Sequence, residues 1–199
     1  MQVNRLVVVS GLSGSGKSVA LNMLEDLGWY CIDNIPAGLV QSLISHSVRT
    51  EEPIYRRLAV GLDARNRPAD LDSIPALVTD LTSAGLRCDV VYLHAEDDVL
   101  LRRYADTRRR HPLAAAGLSL ADAIAEERRL LHPLIDSADL VIDTSRMSVH
   151  ELRDLIGQAM QATMRITAMV AFLLVGATCF SISFAGVDGG RWVEHLLTD

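Results

Sequence analysis

Disulfide chemistry has no framework in this chain. Its 3 cysteines, Cys31, Cys88 and Cys179, are odd in number, far apart and without a Cys-x-x-Cys spacing. That excludes a stapled secreted fold and a zinc site, and suits a reducing, cytoplasmic setting. Positive charge is also short. The net charge is -6 and the pI about 5.5, so no general cationic field draws nucleic acid, and any RNA or DNA contact has to be local. The N-terminus lacks a long apolar stretch followed by small residues and reads as a charged start and a strand, not a secretion leader. No fixed-period repeat and no low-complexity block interrupts the sequence. Lysine is scarcest of all, Lys17 being the only one among 19 Lys and Arg.

What remains supports one core. With 199 residues and 49% hydrophobic content, the length suits one main domain with a short appendage. Arg5 to Ser10 is a β-branched apolar run bounded by Gly11, which predicts a strand buried on both faces. Apolar residues then recur at helical intervals from Lys17 to Leu27, with Gly28 as the stop. Further apolar runs over 29–32, 58–62, 90–93 and 140–142 alternate with helix-like stretches over 36–47, 71–84, 97–110, 120–136 and 148–163. Asp72 or Ser73, Asp97 and Ser148 stand where helices begin, and Arg65 to Ala69, with Pro68, reads as a surface loop. The alternation predicts an α/β fold with a mainly parallel five-stranded sheet between helical layers.

Between the first strand and the first helix stands Gly11-Leu-Ser-Gly-Ser-Gly-Lys-Ser18, a full match to GxxxxGK[ST]. Gly11 and Gly16 permit backbone conformations that side chains block, and Gly14 permits close approach. Successive amides of Ser13, Gly14, Ser15, Gly16, Lys17 and Ser18 can thus converge on phosphate oxygens at a helix N-terminus. Lys17 would reach the β- and γ-phosphates, and the Ser18 hydroxyl would ligate Mg²⁺. A slim point charge fits inside a backbone ring where a guanidinium does not, which explains why an arginine-rich chain has its lysine here. With Lys17 so committed, no Asn-Lys-x-Asp string is available. A G-protein-type guanine pocket is excluded, while ATP and GTP both stay open.

Two strand-end carboxylates come next. Leu58-Ala-Val-Gly-Leu62 leads into Asp63, where a Walker B carboxylate would hold magnesium through water, although an aspartate in that place also simply starts turns. Asp33, in Cys31-Ile-Asp-Asn-Ile-Pro36, reaches the same sheet edge, either to orient water, act as a base or ligate metal, or only to open a helix-starting turn. Lys17, Asp33 and Asp63 are the candidate catalytic residues, and Ser18 and Asp63 the candidate metal ligands. Arg102, Arg103, Arg108, Arg109 and Arg110 cluster before Pro112, with Asp98 and Asp106 available at i, i+4 spacing. Three uses are open to them: a salt-bridged solvent face, a lid that places a guanidinium such as Arg109 on the transferring phosphate, or contact with an RNA backbone.

The last stretch differs. Residues 166–187 carry no charge and are long enough to span a bilayer, yet they contain glycines, hydroxyl residues and a strand-like Phe180-Ser-Ile-Ser-Phe184 alternation. A buried hairpin, an added strand or a disordered or aberrant terminus is favoured over a membrane helix.

Several strings together resemble the RapZ-type nucleotide-binding family, the RNase adapter proteins: Val9 to Ser18, Cys31 to Pro36, Gly61-Leu-Asp-Ala-Arg65, Arg103 to Leu113 and Ala138 to Ser145. The resemblance implies a kinase-like P-loop domain over 1–165 that binds ATP or GTP with Mg²⁺ and hydrolyses it slowly. It also implies a regulatory switch in which small RNA is bound and presented to an endoribonuclease in response to an amino-sugar phosphate. The family's further C-terminal domain has no counterpart after Arg165, so 166–199 is expected to be an atypical tail of a truncated or frame-shifted product. A small-molecule kinase and an RNA-binding module with incidental hydrolysis are the competing readings.

Overall fold

The computed structural model describes residues 5–50, 52–107, 110–116 and 118–160. The chain divides into two units, Met1–Gly157 and Gln158–Asp199. Of the second, only 158–160 lie among the described residues, and they are helical. The tail over 166–187 falls outside the described residues, and among those that are described no helix is long and apolar enough to cross a membrane.

In the first unit the strands are β1 (Arg5–Gly11), β2 (Tyr30–Ile32), β3 (Arg57–Gly61), β4 (Arg87–His94) and β5 (Leu140–Asp143), and the helices α1 (Lys17–Asp26), α2 (Val40–Thr50), α3 (Pro68–Asp72), α4 (Ile74–Ser83), α5 (Asp97–Thr107), α6 (Leu120–Leu130) and α7 (His132–Asp136). A further helical stretch begins at 149. The five strands form one sheet in the order β2-β3-β1-β4-β5, every neighbouring pair parallel. This is the P-loop α/β fold that the alternating pattern predicts.

The sheet has helices on both faces. Leu6 and Val8 of β1, Leu58 and Val60 of β3, and Val90 and Tyr92 of β4 share one cluster with Val40, Leu71, Ile74 and Leu134 from α2, α3, α4 and α7. Val7, Val9 and Ala59 are equally buried on the alternate face, where Leu21 of α1 lies so close to Gly61 that an added Cβ would stand 2.9 Å from its Cδ1. Strands buried on both sides need apolar residues on both faces, and β1 is apolar from Leu6 to Val9 for that reason.

Helix ends follow local chemistry. Leu27 closes α1, Gly28 takes φ 80°, and the amides of Gly28 and Trp29 return to the carbonyls of Glu25 and Leu24, a Schellman stop as the sequence implies. Ser148 and Glu151 exchange hydrogen bonds, amide to carboxylate at 2.7 Å and amide to hydroxyl at 3.2 Å, a capping box that confirms Ser148 as the opening of the last stretch.

The helix expected over 36–47 is found at Val40–Thr50, and three other boundaries differ from expectation because of proline. Pro68 opens α3 instead of lying in a loop, because its fixed φ and missing N–H suit the first helical turn. Pro75 starts a fresh helix after Ser73, and Pro133 divides α6 from α7 at Leu131, since neither can donate to the preceding turn.

Gly11 is the tightest point. Its φ is 145°, and a Cβ there would collide with the carbonyl of Leu93 in β4. Gly11→Ala is expected to lower the unfolding free energy by about 3 kcal/mol or more, read as a drop in the urea midpoint, and an unchanged midpoint would contradict the close approach.

Candidate functional site

Parallel strands put their C-terminal ends on one edge, and ligands of α/β sheets bind outside that edge. Here β1 delivers the P-loop, β2 delivers Asp33, β3 delivers Asp63 and β5 delivers Thr144. A cleft of about 770 Å³ opens between them, with Arg65, Arg103 and Arg110 also on its wall.

The loop folds around its own amides. Leu12 donates to Leu93 O at 3.3 Å and Ser15 to Leu12 O at 2.9 Å. The Ser13 amide and hydroxyl both donate to Glu127, at 2.8 and 2.6 Å. Among the described residues the amides of Gly14, Gly16, Lys17 and Ser18 carry no protein acceptor. These four are donors available to an anion, at the start of α1 where the helix dipole adds its positive end. Gly14 and Gly16, at φ 91° and 105°, supply the left-handed turns that swing the amides inward.

Lys17 lies along the floor. Its side chain is 10% exposed, with Nζ 3.9 Å from Asp63 Oδ2 and donating to Leu62 O at 3.4 Å. Burial pulls its pKa below the ordinary lysine value, while Asp63, Glu127 and Asp33 push the other way. Asp63 is itself claimed by Arg65. The Arg65 amide donates to Oδ1 at 3.0 Å, and its guanidinium donates to Oδ2 through Nε at 2.8 Å and Nη2 at 2.5 Å. Burial would raise the Asp63 carboxyl, but those hydrogen bonds and the Lys17 charge outweigh it and hold the group below the usual carboxylate range.

Two outer struts complete the loop. The Arg103 guanidinium donates to Gly14 O at 2.9 Å and Thr144 O at 2.7 Å. The Thr144 hydroxyl donates to Ser15 O at 2.8 Å. Arg103, one of the clustered arginines, therefore braces backbone. Arg102 pairs with Asp98 on the exposed face at 3.6 Å, and Arg110 is exposed at the cleft wall. Arg109, proposed as a phosphate contact, lies outside the described residues, as does Arg108.

The structure thus gathers Gly11, Ser13, Gly14, Ser15, Gly16, Lys17, Ser18, Asp33 and Asp63 at one edge. Ser18 is exposed at the first turn of α1 and Asp33 is exposed at the mouth, while Ser15 Oγ is buried without a partner. An exposed hydroxyl at the helix start and a strand-end carboxylate fit a magnesium ion that takes its remaining ligands from water and phosphate. Among the described residues no three His, Cys, Asp or Glu side chains converge into a cage. Sequence reasoning missed Glu127, His111 and Thr144. Glu127 had a visible signal, because it shares the apolar face of α6 with Ala123 and Ile124, where a carboxylate is out of place unless it has partners.

Comparison with known proteins adds family. Residues 4–164 match the model of the RapZ-like N-terminal domain. A "Nucleotide-binding protein" of Halorhodospira halophila is 55% identical over 154 residues, 77% of this chain and 54% of its own length. A protein of the same name from Alkalilimnicola ehrlichii is 52% identical over 161 residues, 81% of this chain and 56% of its own. The chain spans about half the length of these curated relatives. Among solved structures, the YorR protein of Bacillus subtilis in complex with phosphorylated GDP superposes with a TM-score of 0.50 at 18% identity, covering 80% of this chain and 98% of that one. The likeness is one of fold.

The sign of the Asp63 shift sets a pH test. A carboxyl whose folded pKa is depressed stabilises the protein above its unfolded pKa, near the ordinary 3.8, and loses that contribution as pH falls through the lower folded value. Wild type and Asp63→Asn are therefore expected to differ in unfolding free energy at pH 7 and to draw together as the pH falls below the usual carboxylate range; a constant gap across denaturation curves would show that the effect is steric.

Proposed function

Since the chain belongs to the RapZ-like N-terminal domain family, we propose that it binds a nucleoside triphosphate, ATP or GTP, with Mg²⁺ at the P-loop, hydrolyses it slowly, and serves as a regulatory switch. The carrying observation is Lys17, seated against Leu62 O and Asp63 under four acceptor-free amides. A cation beside acceptor-free N–H donors in one glycine-rich loop suits the oxygens of a polyphosphate. The names of the curated relatives support the same ligand.

Each residue then has a task. The amides of Gly14, Gly16, Lys17 and Ser18 bind phosphate oxygens, and Lys17 neutralises charge on the transferring group. Ser18 and Asp63 would hold magnesium, which when bound neutralises further phosphate charge. Arg65, now on Asp63, would share that carboxylate with the ion, and its guanidinium lies on the cleft wall. Asp33 accepts a hydrogen bond from water and orients it. Asp33 stands open to bulk solvent instead of enclosed beside the phosphates, which suits slow turnover more than efficient chemistry.

A switch reads γ-phosphate through loops, and the reading extends to a cytoplasmic adapter that presents small RNA to an endoribonuclease. A small-molecule kinase is the second reading, favoured by Asp33 on the cleft wall, where a carboxylate can take a proton from an acceptor hydroxyl.

Equilibrium binding of labelled ATP and GTP, with and without Mg²⁺, tests the core of this. Lys17→Ala is expected to weaken binding by about 10- to 100-fold, the cost of losing a charged hydrogen-bond partner. Affinity equal to wild type would remove the assignment. Phosphate transfer to an added hydroxyl compound faster than to water would favour the kinase reading.

A further inference from the structure

The P-loop rests on a buried acceptor that no motif contains. Glu127 and His111 both have 0% exposed side chains. Three donors converge on the Glu127 carboxylate: the Ser13 amide at 2.8 Å, the Ser13 hydroxyl at 2.6 Å, and His111 Nε2 at 3.0 Å. The role of the imidazole follows from its other nitrogen. His111 Nδ1 accepts from the Leu113 amide at 3.1 Å, so Nδ1 is unprotonated and the ring hydrogen sits on Nε2, pointing at Glu127. All three groups that meet the Glu127 carboxylate are placed as donors.

Helix packing alone does not ask for this residue. At its place on α6, beside Ala123 and Ile124, a leucine would fill similar space. That leucine would, however, leave the Ser13 amide, the Ser13 hydroxyl and His111 Nε2 without their acceptor. The three groups belong to two functional segments: Ser13 to the phosphate loop, and His111 to the turn that follows Arg110, itself on the cleft wall. The Tyr104 ring lies 5.4 Å from His111 and closes the third side. Glu127 also favours the charged form of Lys17.

We propose that Glu127 is a positioning residue for phosphate binding: it fixes the first turn of the P-loop through Ser13 and ties that turn, through His111, to the arginine-bearing segment. The Ser13 amide is thereby withdrawn from the donors offered to phosphate, and the loop is held in binding shape before any ligand arrives. The inference rests on reading the cleft as a polyphosphate site, and the test separates the two.

Three variants of the full chain, Glu127→Gln, Glu127→Asp and Glu127→Ala, are compared by hydrogen–deuterium exchange at Ser13 without ligand and by affinity for inorganic tripolyphosphate and ATP. Gln preserves reach: its oxygen takes the Ser13 amide and the His111 hydrogen, and its NH₂ donates to the Ser13 hydroxyl. It is expected to stay within about threefold of wild type in both readouts. Asp keeps the charge but falls short by one methylene, and is expected to speed Ser13 exchange and weaken tripolyphosphate by about tenfold, with Ala at least as severe. Should Ala fail to fold, the contrast of Gln with Asp decides. Wild-type exchange and affinity in Asp, or Gln as impaired as Asp, overturns the inference. A wild type that binds neither tripolyphosphate nor ATP overturns the functional reading instead, and Ser13 exchange in the three variants still decides whether Glu127 holds the loop. Merely structural anchoring of α6 would lower the melting temperature without separating phosphate affinity from it.

Discussion

A buried ammonium group governs this molecule. Removing a lysine head from water is costly unless other charges and dipoles replace the hydration, and Lys17 is 10% exposed. Asp63, Glu127 and Asp33 all favour its charged form, and Leu62 lends a carbonyl. Asp63 in turn needs Arg65, and Glu127 needs Ser13 and His111. Seen from the lysine outward, Asp63 and Glu127 are each given a second cation or donor. Polyphosphate would enter a place whose positive potential is already balanced from below, so the net gain in binding comes from geometry as much as from charge.

The sheet is what makes this arrangement reachable. Central β1 lies between β3 and β4, so the P-loop emerges with Asp63 on one flank and Leu93 on the other. Gly11 permits the second contact and the Leu62 amide, donating to Val9 O at 3.0 Å, secures the first. Because every strand is parallel, each contributes its C-terminal residue to the same edge. A single antiparallel insertion at β3 would have sent Asp63 to the opposite side.

Much of this was legible in residues alone. The five strands stood out because a doubly covered sheet demands continuous apolar runs, and the P-loop stood out because its glycines have no other economical explanation between a strand and a helix. Helix boundaries at Pro68, Pro75 and Pro133 were misplaced, since proline both breaks a helix and begins one, and pattern alone does not say which. The braces were hidden for a different reason. Arg103 looked like part of a charge cluster, and Thr144 like an ordinary residue after a strand. Only tertiary contact shows that Arg103 holds Gly14 O and that Thr144 holds Ser15 O. Periodicity carries no information about partners so far away.

Those distances along the chain have a bearing on how the protein comes into being. Gly14, Ser13 and Ser15 are held by residues 89, 114 and 129 positions further along, Arg103, Glu127 and Thr144 respectively. During synthesis from the N-terminus the glycine-rich segment therefore leaves the ribosome long before anything can hold it, and nearly the whole domain has to emerge before its shape is settled. A nascent chain halted before β5 would expose the motif in full and still lack the cradle.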